Sequence, residues 1–201
     1  MKDSEAVYTN SLPLPDAEVF YVPQFLSEKE ADTYFQFLLK ETQWQEDSIR
    51  IFGKTYLQPR KTALFGEEGK TYSYSGITMA PKPFTPALRE LKKMIEPVAN
   101  ARFNTVLLNL YRNGNDSNGW HSDDEKELGP DPVIASLSLG APRLFHFRKK
   151  GSTALTHRLE LQPGSLLVMG PGTQRHYAHQ LPKTKRPVNA RINLTFRQIV
   201  G

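Results

Sequence analysis

The chain has 201 residues, 38% hydrophobic and 23% charged, with 26 Lys and Arg against 21 Asp and Glu and a formal net charge of +5. This composition excludes fibrous, globally disordered and helical membrane-spanning chains, since no unbroken apolar stretch approaches the ~18 residues of a span. Cysteine is absent, which removes disulfides, thiolate metal sites and thiol nucleophiles together and leaves His, Asp and Glu as metal ligands.

A chain of this size hides roughly 70% of its unfolded surface, enough for one sizeable core. One domain over 26–201 is expected, with 26–102 supplying helices and hairpins and 103–201 the core. Residues 1–25, with Pro13, Pro15 and Pro23, suit a tail lying across the body. The first 19 residues hold no apolar stretch of signal-peptide type. The expectation is an unsecreted monomer without membrane attachment, cytoplasmic in a bacterium or nuclear in a eukaryote.

In chain order, Ser27 and Glu30 form a capping box, and Ala31, Tyr34, Leu38 and Leu39 follow at helical spacing, predicting a helix over 28–41. Arg50–Lys54 reads as a hairpin tip carrying an apolar pair between cations, and Thr71–Gly76 as a second hairpin with alternating tyrosines. Thr85 and Pro86 open another helix, striped by Leu88, Leu91, Ile95 and Val98 and disturbed at its end by Pro97. From residue 103 short β-type runs take over: Thr105–Tyr111, Val133–Leu139, Leu144–Arg148, Arg158–Gln162, Ser165–Met169 and Ala190–Ile199. Gly, Pro and Asn turns separate them without intervening helices, as in an antiparallel sandwich, barrel or jelly roll. The fold class is therefore α+β, mainly β.

His121 and Asp123 stand two apart in an extended segment and so share a face on which one ion could bind. Alone, His-x-Asp also fits an exposed or hydrogen-bonded pair. A distant His completes the two-His-one-carboxylate face of ferrous oxygenases. His179 is the best candidate and His176 its rival, whereas His146 and His157 read as structural or exposed. In Arg191–Arg197 the polar residues Arg191, Asn193, Thr195 and Arg197 share one face, opposite Ile192, Leu194 and Phe196. That face is either solvated or a pocket for a dicarboxylate, which guanidinium pairs bidentately. Asn109 and Tyr111 share a face in the same way.

The order and spacing of Asn109–Gly114, Trp120–Glu125, Ile134–Gly140, His179–Pro182 and Arg191–Arg197 resemble the AlkB family of iron and 2-oxoglutarate dependent dealkylating dioxygenases, closest to the subgroup of AlkB homologues 2 and 3. The resemblance covers about residues 50 to 200. It implies a double-stranded β-helix (jelly roll) with N-terminal helices and a substrate-binding hairpin lid. It also implies Fe(II), 2-oxoglutarate and O2, and oxidative removal of alkyl groups from 1-methyladenine and 3-methylcytosine with release of succinate, carbon dioxide and an aldehyde.

Position by position, the resemblance makes His121, Asp123 and His179 the iron ligands. Arg191 pairs with the distal carboxylate of 2-oxoglutarate, with Tyr111 and Thr195 beside it, and Asn109 and Arg197 hold the end near the metal. Tyr72, Tyr74 and Ser75 match the family's lid over the flipped base, or are a hairpin packed on the barrel, and Glu125 could contact that base or be a surface carboxylate; Arg60 and Lys61 continue the basic stretch of Arg50–Lys54 on the substrate side. Ile51, Phe52 and Gly53 resemble a finger that enters duplex DNA, or form a hairpin tip folded onto the core. Arg148–Lys150 and Lys183–Arg186 could flank the groove, or be solvated faces.

The surroundings of His121 look more like homologue 3, associated with single strands, and the Ile51-Phe52 finger more like homologue 2, associated with duplexes. The partner is alkylated DNA, single- or double-stranded, with RNA open. Two rival readings are an RNA- or protein-directed hydroxylase of the same chemistry and a non-catalytic, cupin-like nucleic-acid-binding module.

Overall fold

The computed structural model describes residues 10–51, 54–67, 72–74, 77–79 and 81–200. Its main sheet has eight strands: β1 (Asn10–Ser11), β2 (Val19–Val22), β5 (Lys61–Gly66), β8 (Lys82–Pro83), β9 (Thr105–Tyr111), β11 (Ile134–Gly140), β14 (Leu166–Met169) and β16 (Arg191–Arg197). Their spatial order is β1-β2-β14-β11-β16-β9-β5-β8. The second sheet has four strands: β10 (Asn118–His121), β12 (Arg143–Lys149), β13 (His157–Leu161) and β15 (Tyr177–Leu181), in the order β10-β15-β12-β13. Two hairpins stand apart, β3 (Ser48–Ile51) with β4 (Lys54–Leu57) and β6 (Tyr72–Tyr74) with β7 (Ile77–Met79).

Three layers follow from the period-2 patterns. On β16, Ile192, Leu194 and Phe196 join the core beneath the helices together with Val106, Leu108 and Leu110 of β9 and Leu137 and Leu139 of β11. The helices covering this face are α1 (Glu28–Glu41) and α2 (Pro86–Ala99), which contribute Ala31, Leu38, Leu88, Leu91 and Ile95. Burying each large aliphatic here contributes about 1.5–3 kcal/mol. The opposite face of the main sheet packs Leu107, Leu167 and Met169 against Phe145, Phe147, Tyr177 and Leu181 of the smaller sheet. The polar residues of β16 face into this second interlayer.

Both helix starts hold as expected. Ser27 caps α1 in a complete capping box, and the Thr85 hydroxyl accepts the Leu88 N–H with Pro86 in the first turn. α2 runs past Pro97 to Ala99 and ends at Asn100, which adopts φ 47°. Pro97 falls in the last turn and so displaces one hydrogen bond near the helix end without breaking an interior.

All six expected strands are present, shifted by a residue or two at their ends. The expectation of a tail is corrected for residues 10–22. Val19-Phe20-Tyr21-Val22 is β-branched and aromatic, and it pairs antiparallel with β14, covering an edge that would otherwise stay open. Tyr177 Oη fixes the segment further by donating to Pro15 O at 2.8 Å.

Candidate active site

The polar residues of both sheets meet in one narrow cavity lined by Arg60, Asn109, Tyr111, Asn118, His121, Asp123, His179, Arg191, Asn193, Thr195 and Arg197 among others. Register brings the histidines together. β10 pairs antiparallel with β15 so that His121 faces His179, and their rings stand edge to face with centroids 4.4 Å apart. Phe145 stacks on His179 at 5.3 Å and closes its other side.

The turn that delivers His121 is tied down from two directions. Asp116 accepts from Arg112 N, Nε and Nη2. The buried Arg143 donates to the carbonyls of Asn113, Asp116 and Pro182, joining the entry to β10 with the exit from β15.

Asp123 is 1% exposed and accepts from Arg197 Nη2 at 2.9 Å. Burial raises its pKa, but Arg197 and the neighbouring imidazoles more than reverse this, holding it at about 2. Burial pushes His179 down to about 3 and lowers His121 as well. The site thus keeps one carboxylate ionised and two imidazoles neutral at pH 7.

His121 Nδ1 donates to Gly119 O at 2.7 Å, which leaves the ring's lone pair on Nε2. Among the described residues, the buried His179 Nδ1 has no hydrogen-bond partner. Among the described residues no three His, Asp or Glu side chains are already gathered as a metal cluster. The fit to ferrous iron therefore lies in the donors themselves: two neutral imidazoles, one carrying an unsatisfied buried nitrogen, and one ionised carboxylate.

At the other side of the cavity Arg191 is 1% exposed. Its guanidinium donates to Ser138 Oγ at 3.0 Å and sits 5.4 Å from the centre of the Tyr111 ring. Burial lowers its pKa to about 10, which leaves it charged at pH 7. Asn193 donates to Ser136 Oγ and Leu137 O, and Thr195 donates to Asn193 Oδ1. A buried cation whose described hydrogen bond goes to a neutral hydroxyl is suited to an anionic ligand.

The polar face of β16 is therefore a pocket wall, not a solvated surface. Arg60, expected on the substrate side as part of a basic stretch, is buried, lines this same cavity and donates from Nε to Asn109 Oδ1 at 2.9 Å. Glu125 heads the short 3-10 turn Lys126–Leu128 and is not among the residues lining the cavity.

His176 ends a one-turn helix outside the lining, and His146 lies on β12 beside Trp120. The β3–β4 hairpin pairs Ile51 with Lys54; Phe52 and Gly53 lie outside the described residues. Tyr72 and Tyr74 are placed on β6, paired with Met79 and Ile77, and Ser75 lies outside the described residues.

The site also recruits Gln174, Ser136, Ser138 and Asn118, which the sequence reading did not assign to it. The alternation in Ala135-Ser136-Leu137-Ser138 places both serines on one strand face. Gln174 follows a Gly-Pro-Gly turn and carried no comparable signal.

A β-sandwich with an imidazole pair, a carboxylate and a buried arginine between its sheets defines the class of iron and 2-oxoglutarate dependent oxygenases. Residues 18–197 match the model of the 2OG-Fe(II) oxygenase superfamily, and the chain belongs to that superfamily. It is 43% identical over 181 residues to DNA oxidative demethylase ALKBH2 of Mus musculus, covering 85% of this chain and 76% of the relative. It is also 43% identical over 207 residues to alpha-ketoglutarate-dependent dioxygenase alkB homolog 3 of Homo sapiens, covering 98% and 72%. A solved structure of OsALKBH1 shares the fold with a TM-score of 0.71 at 16% identity, over 94% of this chain and 99% of that one.

Proposed function

We propose that this chain repairs DNA by oxidative removal of alkyl groups from bases such as 1-methyladenine and 3-methylcytosine. The observation that carries the reading is the joint presence of the two facing halves of the cavity, His121, Asp123 and His179 on one side and Arg191 on the other, in a chain 43% identical to a DNA oxidative demethylase. His121, Asp123 and His179 would hold the iron. When bound, the iron with 2-oxoglutarate and O2 supplies the oxidation, which leaves succinate, carbon dioxide and an aldehyde.

The chain's own residues orient and protect. Arg197 keeps Asp123 ionised and fixed. Arg191 takes the distal carboxylate of 2-oxoglutarate, with Tyr111 and Thr195 beside it. Asn109, held by Arg60, presents its amide to the end nearer the metal. The apolar packing of Phe145, Met169 and Leu107 keeps water out. Tyr72, Tyr74 and Ser75 cover the base, Glu125 serves its edge, and the Ile51–Gly53 tip fills the gap left in a duplex.

The test offers matched single- and double-stranded oligonucleotides bearing one 1-methyladenine, with Fe(II), ascorbate and 2-oxoglutarate, and follows loss of the methyl group by mass. Demethylation that depends on 2-oxoglutarate is the expected result. Phe52→Ala slows the duplex reaction more than the single-strand one; equal slowing removes the wedge role. Consumption of 2-oxoglutarate with no change in either oligonucleotide moves the substrate to RNA or protein.

A further inference from the structure

We infer that Ser136 is a further cosubstrate-binding residue, whose hydroxyl donates to the distal carboxylate of 2-oxoglutarate beside Arg191. The inference rests on the 2-oxoglutarate reading above. Ser136 is 5% exposed on β11 and lines the cavity together with Asn193, Thr195 and Arg191. The hydrogen bonds of this wall run in one direction. Asn193 Nδ2 lies 3.1 Å from Leu137 O, a backbone carbonyl that can only accept, so the amide nitrogen and not Oδ1 is turned toward β11. Thr195 Oγ1 then donates to Asn193 Oδ1 at 2.8 Å, and Asn193 Nδ2 donates to Ser136 Oγ at 2.7 Å. Ser136 accepts, and among the described residues its own proton meets no acceptor.

The open end of this chain lies where an anion fits. Both N–H groups of Asn193 and the Thr195 proton are spent within the wall, so Thr195 stands beside the distal carboxylate without a proton to give it. Ser138 follows Ser136 on the same strand face, about 7 Å along, and its Oγ accepts from Arg191 Nη2 at 3.0 Å. Ser136 therefore borders the end of the cavity at which Arg191 is held. Arg191 Nε is itself buried without a hydrogen-bond partner among the described residues. An open hydroxyl and an open guanidinium N–H thus stand at one end of the cavity, two donors with no acceptor between them. Hydrogen bonds that run toward one hydroxyl polarise its proton outward, and a carboxylate is the acceptor that gains most from it. Removing the Ser136 oxygen leaves Asn193 anchored on Leu137 O, so the wall keeps its shape.

The experiment measures by calorimetry the binding of 2-oxoglutarate, and of 2-oxopentanoate, which lacks the distal carboxylate, to the Co(II)-loaded parent, Ser136→Ala and Arg191→Ala. The melting temperature of each metal-free protein is recorded alongside. The expected result is that Ser136→Ala binds 2-oxoglutarate about 10-fold more weakly, as for loss of a hydrogen bond to a charged group. The same variant binds 2-oxopentanoate as the parent does and melts as the parent does. Parent-like affinity for 2-oxoglutarate in Ser136→Ala overturns the inference. So does equal weakening toward both acids, which marks a change in the shape of the wall and not a lost partner of the distal carboxylate. A parent that binds no 2-oxoglutarate, or binds it as well without Arg191, overturns the 2-oxoglutarate reading itself.

Discussion

Arg191 is among the largest fully buried side chains of the protein, and its environment decides what it can do. Among the described residues its guanidinium meets the hydroxyl of Ser138 and the face of Tyr111, neither of which neutralises it. A charge-assisted pair with a carboxylate contributes roughly 1.5–3 kcal/mol. Arg191→Ala is therefore expected to raise the 2-oxoglutarate requirement by about 10- to 150-fold while sparing kcat at saturation, as steady-state kinetics over a range of 2-oxoglutarate would show. An unchanged requirement would place the carboxylate partner elsewhere.

At this scale the sequence was informative where spacing is short. Arg191 through Arg197 alternate on one strand and so must share a face, while Asp123 lies two residues beyond the end of β10 at His121 and reaches the same cavity. What spacing could not reveal is which buried partner each would find. Arg60 reads as one more basic residue, and only the fold turns it inward onto Asn109.

β16 shows why the core strands were legible. Its seven residues are all buried, yet they separate cleanly into an apolar face under the helices and a polar face toward the cavity. β15 was harder. In Tyr177-Ala-His-Gln-Leu181 the inward positions are Tyr177, His179 and Leu181, and the functional His interrupts the apolar alternation that would have announced a strand. β2 was missed because prolines and polar residues surround its four-residue apolar run.

The end of β11 gives a test of how this element is held. Gly140 adopts φ +79°, and a Cβ there would meet Ala190 O at 2.5 Å and the Phe35 ring at 2.6 Å. Backbone strain of this kind alone costs on the order of 1–3 kcal/mol, and the contact with a backbone oxygen cannot be relieved by a rotamer change. Gly140→Ala is expected to lower stability by at least that amount in urea unfolding. A midpoint equal to the parent's would mean that the strand end and α1 yield.

Across the whole molecule, the helix layer and the main sheet are joined at Glu96. Its carboxylate accepts the Phe103 N–H at 2.9 Å and Arg102 Nη1 at 3.1 Å, and pairs with Lys92 Nζ at 3.1 Å. Phe103 then packs on Phe196 of β16 with ring centroids 6.0 Å apart. Burial raises the Glu96 pKa, and the three donors more than offset it, leaving it below the ordinary value.

A depressed carboxyl pKa adds stability that is present above the unfolded value of about 4.3 and is lost as pH falls through the folded value. Glu96→Gln should therefore cost roughly 1.5–3 kcal/mol at pH 7. The gap to the parent should shrink below about pH 4. A gap independent of pH would show that the carboxylate's charge does not hold the layers together.

The central claim is that a site made by two sheets, and not by either alone, couples 2-oxoglutarate to removal of an alkyl group from DNA. The most direct measurement counts succinate formed per methyl group lost from a 1-methyladenine oligonucleotide, in the parent and in Asp123→Ala. The account predicts one succinate for each methyl group in the parent and neither product in the variant, provided the variant still folds. Methyl loss at the parent's rate in Asp123→Ala, or methyl loss without succinate, would contradict it.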